Sequence, residues 1–262
     1  MRNVLSITAG ALIIASTIQL PTPVFAAEYA SEYSVSIGGF RVGRSQFSTT
    51  IADQSYNIEG TVKAAGVARL FSSVTGSLKA QGTITTDKVI AHSFDVRYKE
   101  GKKTKRTTLS FSGGNVSAFS NQPKTRKRGQ WIELQDQHLK QVLDPIAAIL
   151  VPAKTLRGVC SKTPKVFDGA MRADFPMRYV RTIPFSTRGF KGDAVTCRAK
   201  FKPVAGYNKR KKDISWMREE GFIDISFAPI GNTGVFAPVV AKIKTRLGVA
   251  TIRAKRFETL TK

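Results

Sequence analysis

The side chains able to do chemistry in this chain are few. Two cysteines, Cys160 and Cys197, and two histidines, His92 and His138, are its whole complement of thiols and imidazoles. A nucleophilic hydrolase needs a serine or cysteine beside a positioned base. His92 falls on the apolar side of the alternating run "AHSFDVRYK", where a hydrogen-bonded core histidine is expected. His138 opens a helical pattern and is expected in solvent. There is no Gly-x-Ser-x-Gly elbow, no Gly-x-x-x-x-Gly-Lys loop and no Gly-x-Gly-x-x-Gly after a strand. Acid–base work on a polymer would need two carboxylates converging from different elements. Glu219 and Glu220 are merely adjacent, on an expected surface turn, and of Asp168 and Asp174 the first is expected to be taken up by an Asp-Gly turn. The expectation is a non-enzymatic protein: no catalytic residues, no metal site and no cofactor.

The cysteines form no Cys-x-x-Cys, and only His92 and His138 could join them as metal ligands. In an oxidising compartment an isolated pair is most simply a structural disulfide, Cys160–Cys197. The N-terminus points to such a compartment. "MRNVLSITAGALIIASTIQLPTPVFAAEYA" has a basic start at Arg2, an apolar run from Val4 to Leu20 interrupted by polar residues, and Pro21 and Pro23 before small residues. This is the pattern of a cleaved secretory signal spanning residues 1–26, cut after Ala26. Residues 27–262 are then expected to form a single β-rich domain in the periplasm.

The chain carries 42 basic and 18 acidic residues, for a net charge of +24. Such an excess attracts anionic surfaces, and in an exported protein these are anionic lipid, lipopolysaccharide or acidic glycan. A periplasmic protein is a further candidate partner. Nucleic acid is not expected, because of the compartment and because aromatic residues are not interleaved with the basic runs. The basic clusters fall where turns are expected: Lys102, Lys103, Lys105 and Arg106; Lys124, Arg126, Lys127 and Arg128; Lys209, Arg210, Lys211 and Lys212. These are the candidate anion-docking residues, set against the plainer reading that they only keep the protein soluble.

The elements that must position these residues are mostly strands, because alternation of period two runs through the chain. Tyr33, Val35 and Ile37 share a face before Gly38-Gly39, where a bend or bulge is expected. Tyr56, Ile58 and Val62 form another face, and Thr107, Leu109 and Phe111 a third, ending at a Gly113-Gly114 hairpin turn. "FIDISFAP", "PVVAKIKTRLG" and "VATIRAKRFE" read as a closing set of long strands. Trp131 and Trp216 are expected as core or rim aromatics. Helical spacing appears in "GVARLFSSV" and in "DQHLKQVLDPIAAILVPA", where Asp144 is placed as N-cap and Pro145 at the first helical position. In "VFDGAMRADFPMRYV", Asp168-Gly169 predicts a two-residue turn. Beyond it Met171, Ala173, Phe175 and Met177 face inward, Arg172 and Asp174 outward, and Pro176 marks an edge or bulge. The fold class expected is mainly β: a curved antiparallel sheet or unclosed β-barrel with two or three short helices covering its concave face.

With the Asp144-Pro145 element and the Phe167-Asp168-Gly169 hairpin in this order, the chain from about Glu32 to Arg256 resembles an exported proteobacterial family of unknown function, DUF3108. That family is similar to the LolA/LolB-type half-barrel. The resemblance implies an interior able to receive an acyl chain, a lipoprotein or a peptide, and it brings no catalytic residues. The leading expectation is a periplasmic cell-envelope protein that binds a lipid, a lipoprotein or another amphiphile, with its basic turns docking on anionic surfaces. Its rivals are an interaction scaffold supporting envelope integrity and an enzyme acting on an envelope polymer.

Overall fold

The computed structural model describes residues 27–52, 54–66 and 74–260. The signal segment at 1–26 and most of the helix expected from Val67 lie outside these residues. Strands β1 (Ala27–Ile37), β2 (Phe40–Ala52), β3 (Ser55–Ala64), β4 (Thr75–Ile84), β5 (Val89–Glu100), β6 (Lys103–Ser112) and β7 (Asn115–Gln122) form an antiparallel meander. The chain then crosses through short pieces: β8 (Trp131–Ile132), β9 (Val151–Pro152), β10 (Lys165–Phe167) and β11 (Arg172–Asp174). Strands β12 (Met177–Thr187) and β13 (Phe190–Ala199) follow. The short β14 (Lys202–Ala205) and β15 (Tyr207–Asn208) lead to the helix α1 (Lys212–Glu219). Last come β16 (Ile223–Pro229), β17 (Val235–Thr245) and β18 (Gly248–Leu260).

The large sheet runs β12-β13-β16-β17-β18-β1-β2-β3-β4-β5-β6-β7, with β9 paired to β17, and is not closed into a barrel. Its centre is the pairing of the first strand with the last, Val35 opposite Ile252. Gly38 and Gly39 do not bulge a strand. Both have positive φ and make the tight turn joining β1 to β2, as Gly113 and Gly114 do between β6 and β7.

The concave face is apolar: Tyr56, Ile58, Ala80, Phe94, Leu109, Ala254 and Phe257 are buried there. A curled sheet cannot cover this face by itself, so the stretch between β7 and β12 folds back into the hollow. Val142, Ala147, Leu150 and Phe167 belong to the same buried cluster. The two-part helix expected across 136–150 is only a pair of 3-10 turns, Asp136–Leu139 and Ala147–Ile149. The cap itself is present: Asp144 Oδ1 accepts hydrogen bonds from Ile146 N at 2.8 Å and Ala147 N at 2.9 Å. The helix cannot lengthen because Val151 and Pro152 leave it to pair with Phe236 and Val235.

The Asp168 hairpin also differs from expectation. Its turn spans four residues, with Asp168 Oδ1 accepting from Ala170 N and Met171 N and Gly169 at positive φ. Arg172 was expected to face solvent but is 5% exposed and ion-paired to Asp174. The hairpin lies inside the hollow, where both faces of β11 are covered. Pro176 separates β11 from β12, and β12 is an edge of the large sheet with a bulge between Tyr179 and Arg181.

A second buried cluster surrounds the disulfide. Cys160, on the 3-10 turn Arg157–Ser161, joins Cys197 of β13 with Cα atoms 5.3 Å apart, among Val159, Val195 and Phe227. The bond ties the crossing segment to the sheet across 37 residues of sequence. Closing a loop of that length stabilises by about 4 kcal/mol on the chain-entropy account. Cys160→Ser is therefore expected to unfold at markedly lower denaturant than the oxidised parent. Equal midpoints for the two proteins under oxidising conditions would refute a stabilising bridge.

Asp144 is fully buried, and its Oδ2 has no hydrogen-bond partner among the described residues. The Tyr56 hydroxyl is likewise unpartnered. Its ionisation is raised far above the usual value by burial, with the Asp144 charge adding to the effect. Burial pushes the Asp144 carboxyl up to about 6, against the opposing pull of the hydrogen bonds from Ala147 and Ile146. An unfolded aspartate titrates near ~3.9. Between about pH 4 and 6 the folded state therefore holds this proton more tightly. The contribution of Asp144 falls as pH rises through that window, by at most about 3 kcal/mol, and is level above it. Asp144→Asn keeps the accepting oxygen and carries no charge. It should match the parent near pH 4 and exceed its stability at pH 7. Asp144→Ala, which loses the cap, should be less stable than Asp144→Asn at both pH values by about 1–2 kcal/mol. Urea titrations of the three proteins measure both differences.

Candidate apolar cavity and basic rim

The plug does not fill the whole hollow. Between the walls of the sheet lies a cavity of 460 Å³. Strands β1 to β3 build one wall with Tyr33, Val35, Phe47, Ile58 and Val62. Strands β16 to β18 build the other with Ile223, Ile225, Ala241, Ile243 and Ile252, and Ile146, Ile149 and Leu150 form the floor. The polar groups in this lining are few, chiefly the hydroxyls of Tyr29, Tyr33, Ser31, Ser45 and Thr49.

Two local features hold the walls apart. Strand β17 pairs with β18 only over Val240–Thr245, while Val235 and Phe236 pair with β9. The carbonyl of Pro238 lies outside both pairings and accepts a hydrogen bond from the Tyr33 hydroxyl at 2.8 Å. That phenol is pushed up to about 12 by burial, with a hydrogen bond to Ser31 working the other way, so it stays a donor at neutral pH. The Tyr33 ring meets Phe47 edge-on at 5.8 Å. Phe47 in turn lies over Gly60 of β3, where a Cβ would stand 2.5 Å from the ring. This glycine is needed for close approach rather than for a turn.

On the outer face of β1 to β5 is a wider groove of 510 Å³ lined by Glu59, Lys79, Asp95 and Arg97 among others. Lys79 pairs with Glu59 at 2.7 Å, and Arg106 grips Asp95 with two nitrogens. The Asp95 carboxyl is held low chiefly by the Arg106 hydrogen bond. Much of this charge is thus already matched.

The candidate residues read from sequence divide accordingly. His92 is exposed, contrary to expectation. Gln81 pairs with Ser93 and Gly82 with Ala91, so His92 is the extra residue of a bulge and leaves the apolar face. Its Nε2 is 3.1 Å from Thr83 Oγ1. The Nδ1 of His138 accepts the Gln135 backbone N–H at 3.1 Å. Glu219 is the last residue of α1, paired to Arg218, and Glu220 occupies the turn that caps the helix. Trp216 lies half-buried on α1 with Lys244 Nζ 5.8 Å from its ring centroid, and Met171 and Met177 are half-buried. No group of three or more metal-ligating residues is present among the described residues.

The basic clusters come together. Lys102, Lys103, Lys105 and Arg106 occupy the β5–β6 hairpin, and Arg106 pairs across the sheet with Gln122, directly before the Lys124–Arg128 segment. That segment is joined to the third cluster: Asn208 donates to the Arg128 carbonyl at 2.9 Å and Lys209 N to Gln130 O at 2.7 Å. Lys124, Arg126, Lys127 and Arg128 are exposed, as are Lys209, Arg210, Lys211 and Lys212. Arg106 and Lys127 are engaged, with Asp95 and Glu133. The cavity residues Tyr33 and Val35 were visible in sequence as one strand face. Their opposite wall was not, because it depends on where the sheet curls.

The fold has a counterpart in a crystal structure of a β-barrel-like protein of domain of unknown function DUF1849 from Brucella abortus. The two are 7% identical, with a TM-score of 0.54 over 91% of this chain and 100% of that one. A structure described as a "putative lipoprotein" from Parabacteroides distasonis covers 88% of this chain and 94% of its own at 8% identity, with a TM-score of 0.38. No curated protein matches the chain. The family model for a protein of unknown function, DUF3108, matches residues 32–255, and the chain belongs to that family.

Proposed function

We propose that this protein is a non-enzymatic, periplasmic cell-envelope protein that holds the apolar part of a lipid, lipoprotein or similar amphiphile in its half-barrel. The observation that carries the reading is the 460 Å³ cavity walled almost wholly by carbon. It lies within the range of ligand sites, about 300–1,000 Å³. Transfer of an acyl chain into it would be favourable by about 0.8 kcal/mol per CH₂. The few hydroxyls of the lining offer no site for a charged headgroup, whereas the basic rim does. An aliphatic chain within and an anionic group outside is therefore the best fit. The disulfide supports an oxidising compartment.

The test uses protein purified without detergent and examined by native mass spectrometry, followed by delipidation and titration with a fluorescent stearate analogue. Binding is expected to weaken at least about tenfold in Ala241→Trp, which puts an indole into the cavity, while thermal unfolding of that variant stays near the parent. Absence of any bound lipid, together with parent-like probe binding by Ala241→Trp, would overturn the reading.

A further inference from the structure

In an antiparallel meander successive turns alternate between two ends of the sheet. One end gathers the β1–β2, β5–β6 and β17–β18 turns, the ends of β3 and β7, and the segment leading into α1. Contacts make it a continuous rim. Gly38 N donates to Val249 O at 3.3 Å and Ala65 N to Val42 O at 3.0 Å. Arg246 pairs with Asp213 at 3.0 Å, and Lys209 is tied to the segment after β7. Arg41, Lys63, Lys99, Lys103, Lys211 and Arg246 all stand exposed on this rim. The opposite end carries cations too: Lys88 and Lys162 flank Asp87, Lys162 Nζ donating to the Asp87 carbonyl at 2.9 Å, and Arg188 pairs with Glu258 at 3.9 Å.

Charge is only half of what the rim displays. Leu247 is 85% exposed and Phe40 67%, the two most exposed large apolar side chains described. Val249, at the start of β18 just after Leu247, is 39% exposed. The Gly38–Val249 hydrogen bond places the two hairpin tips side by side. A soluble polyanion would satisfy the cations and leave these carbons in water. An anionic bilayer takes both, because aliphatic groups enter its headgroup–acyl boundary while Lys and Arg remain at the phosphates. The cavity residues Val35 and Ile243, half-buried, and Val62, exposed, lie toward this same end.

We propose that this rim docks on an anionic phospholipid bilayer, with Phe40 and the Leu247–Val249 turn entering the acyl boundary and the surrounding Lys and Arg lying against lipid phosphates. Docking of this kind does not depend on what the cavity holds.

The experiment is flotation of the exported protein, disulfide intact, with vesicles of phosphatidylethanolamine and phosphatidylglycerol, and with vesicles of phosphatidylcholine alone. Binding to the anionic vesicles is expected and should weaken about fivefold for each rim lysine neutralised, as in Lys102→Gln and Lys103→Gln. Phe40→Ser with Leu247→Ser should weaken it about tenfold or more. Lys88→Gln, at the other end, should leave it unchanged. In Leu247→Trp the new indole should be quenched by lipids brominated along their acyl chains. The inference is overturned if the tip variants bind as the parent does, or if brominated chains fail to quench the Leu247→Trp indole. It is overturned equally if the protein ignores vesicles while binding an acidic protein or a soluble polyanion. Ala241→Trp should dock as the parent does, so that a cavity that takes no acyl chain and a rim that takes no bilayer register as separate failures.

Discussion

A long sheet that curls without closing leaves an apolar concave face that its own strands cannot cover. The pairing of the first strand with the last, β1 with β18, makes the problem acute, because it joins two meanders into one surface with edges at β7 and β12. Residues from several points between β7 and β12 answer that exposure. Phe167 enters the hollow from the hairpin and stacks edge-on to Phe119 at 5.1 Å. Val142, Ala147 and Leu150 enter from the 3-10 turns. Burial on this scale, at about 25 cal/mol per Å² of apolar surface, outweighs the helix propensity of the segment. Asp144 is the cost of this arrangement. The turn needs its cap, and the cap lies where the hollow is driest, so a carboxylate is buried with one oxygen unsatisfied. The disulfide is the other response, anchoring the plug to β13 rather than leaving it to packing alone.

The cavity is what the plug leaves uncovered. Ile146, Ile149 and Leu150 belong to the plug and also form the floor of the cavity. The walls above them stay apart because β17 exchanges partners midway, from β9 to β18, and Tyr33 spans the gap to Pro238. A fully paired β17 would draw the strands together and remove the need for that hydroxyl contact.

Alternation is a local property, so most strands could be read from residues alone: Tyr56 and Ile58, Leu109 and Phe111 face inward as expected. What escaped depends on partners distant in sequence. His92 was placed inward by strict alternation, and a bulge set by the register with β4 turns it out. Arg172 was placed outward, yet its strand belongs to a hairpin inserted in the hollow, where alternation has no solvent side to report. The spacing of Leu139, Val142, Leu143 and Ile146 imitates a helix because residues filling a cavity from one side recur at similar intervals. The helix α1 was hidden for the opposite reason, since its apolar positions are embedded in charge and none is fully buried. Of the basic residues expected in turns, Lys102, Lys209 and Arg210 occupy them, whereas Lys103, Lys105 and Arg106 lie on β6, residues 124–128 in an irregular segment and Lys212 on α1. Their convergence requires knowing which end of the sheet each segment occupies.

That convergence has a physical consequence of its own. Like charges gathered on one rim repel one another, and at about 0.15 M salt the screening length is near 8 Å, comparable to the spacing between neighbouring strand tips. Part of it is offset: Asp213 answers Arg246, Glu133 answers Lys127, Glu219 answers Arg218, and Glu100 stands opposite Lys103 at the β5–β6 turn. A protein needing only solubility would gain more from charge spread over its whole surface, since repulsion falls with separation. Gathering cations beside two exposed apolar tips carries a repulsive cost in the isolated protein, which an anionic surface of the kind proposed above would relieve. The combination of charge with exposed apolar tips distinguishes the rim from a merely soluble surface, and it supports reading the rim as an interface.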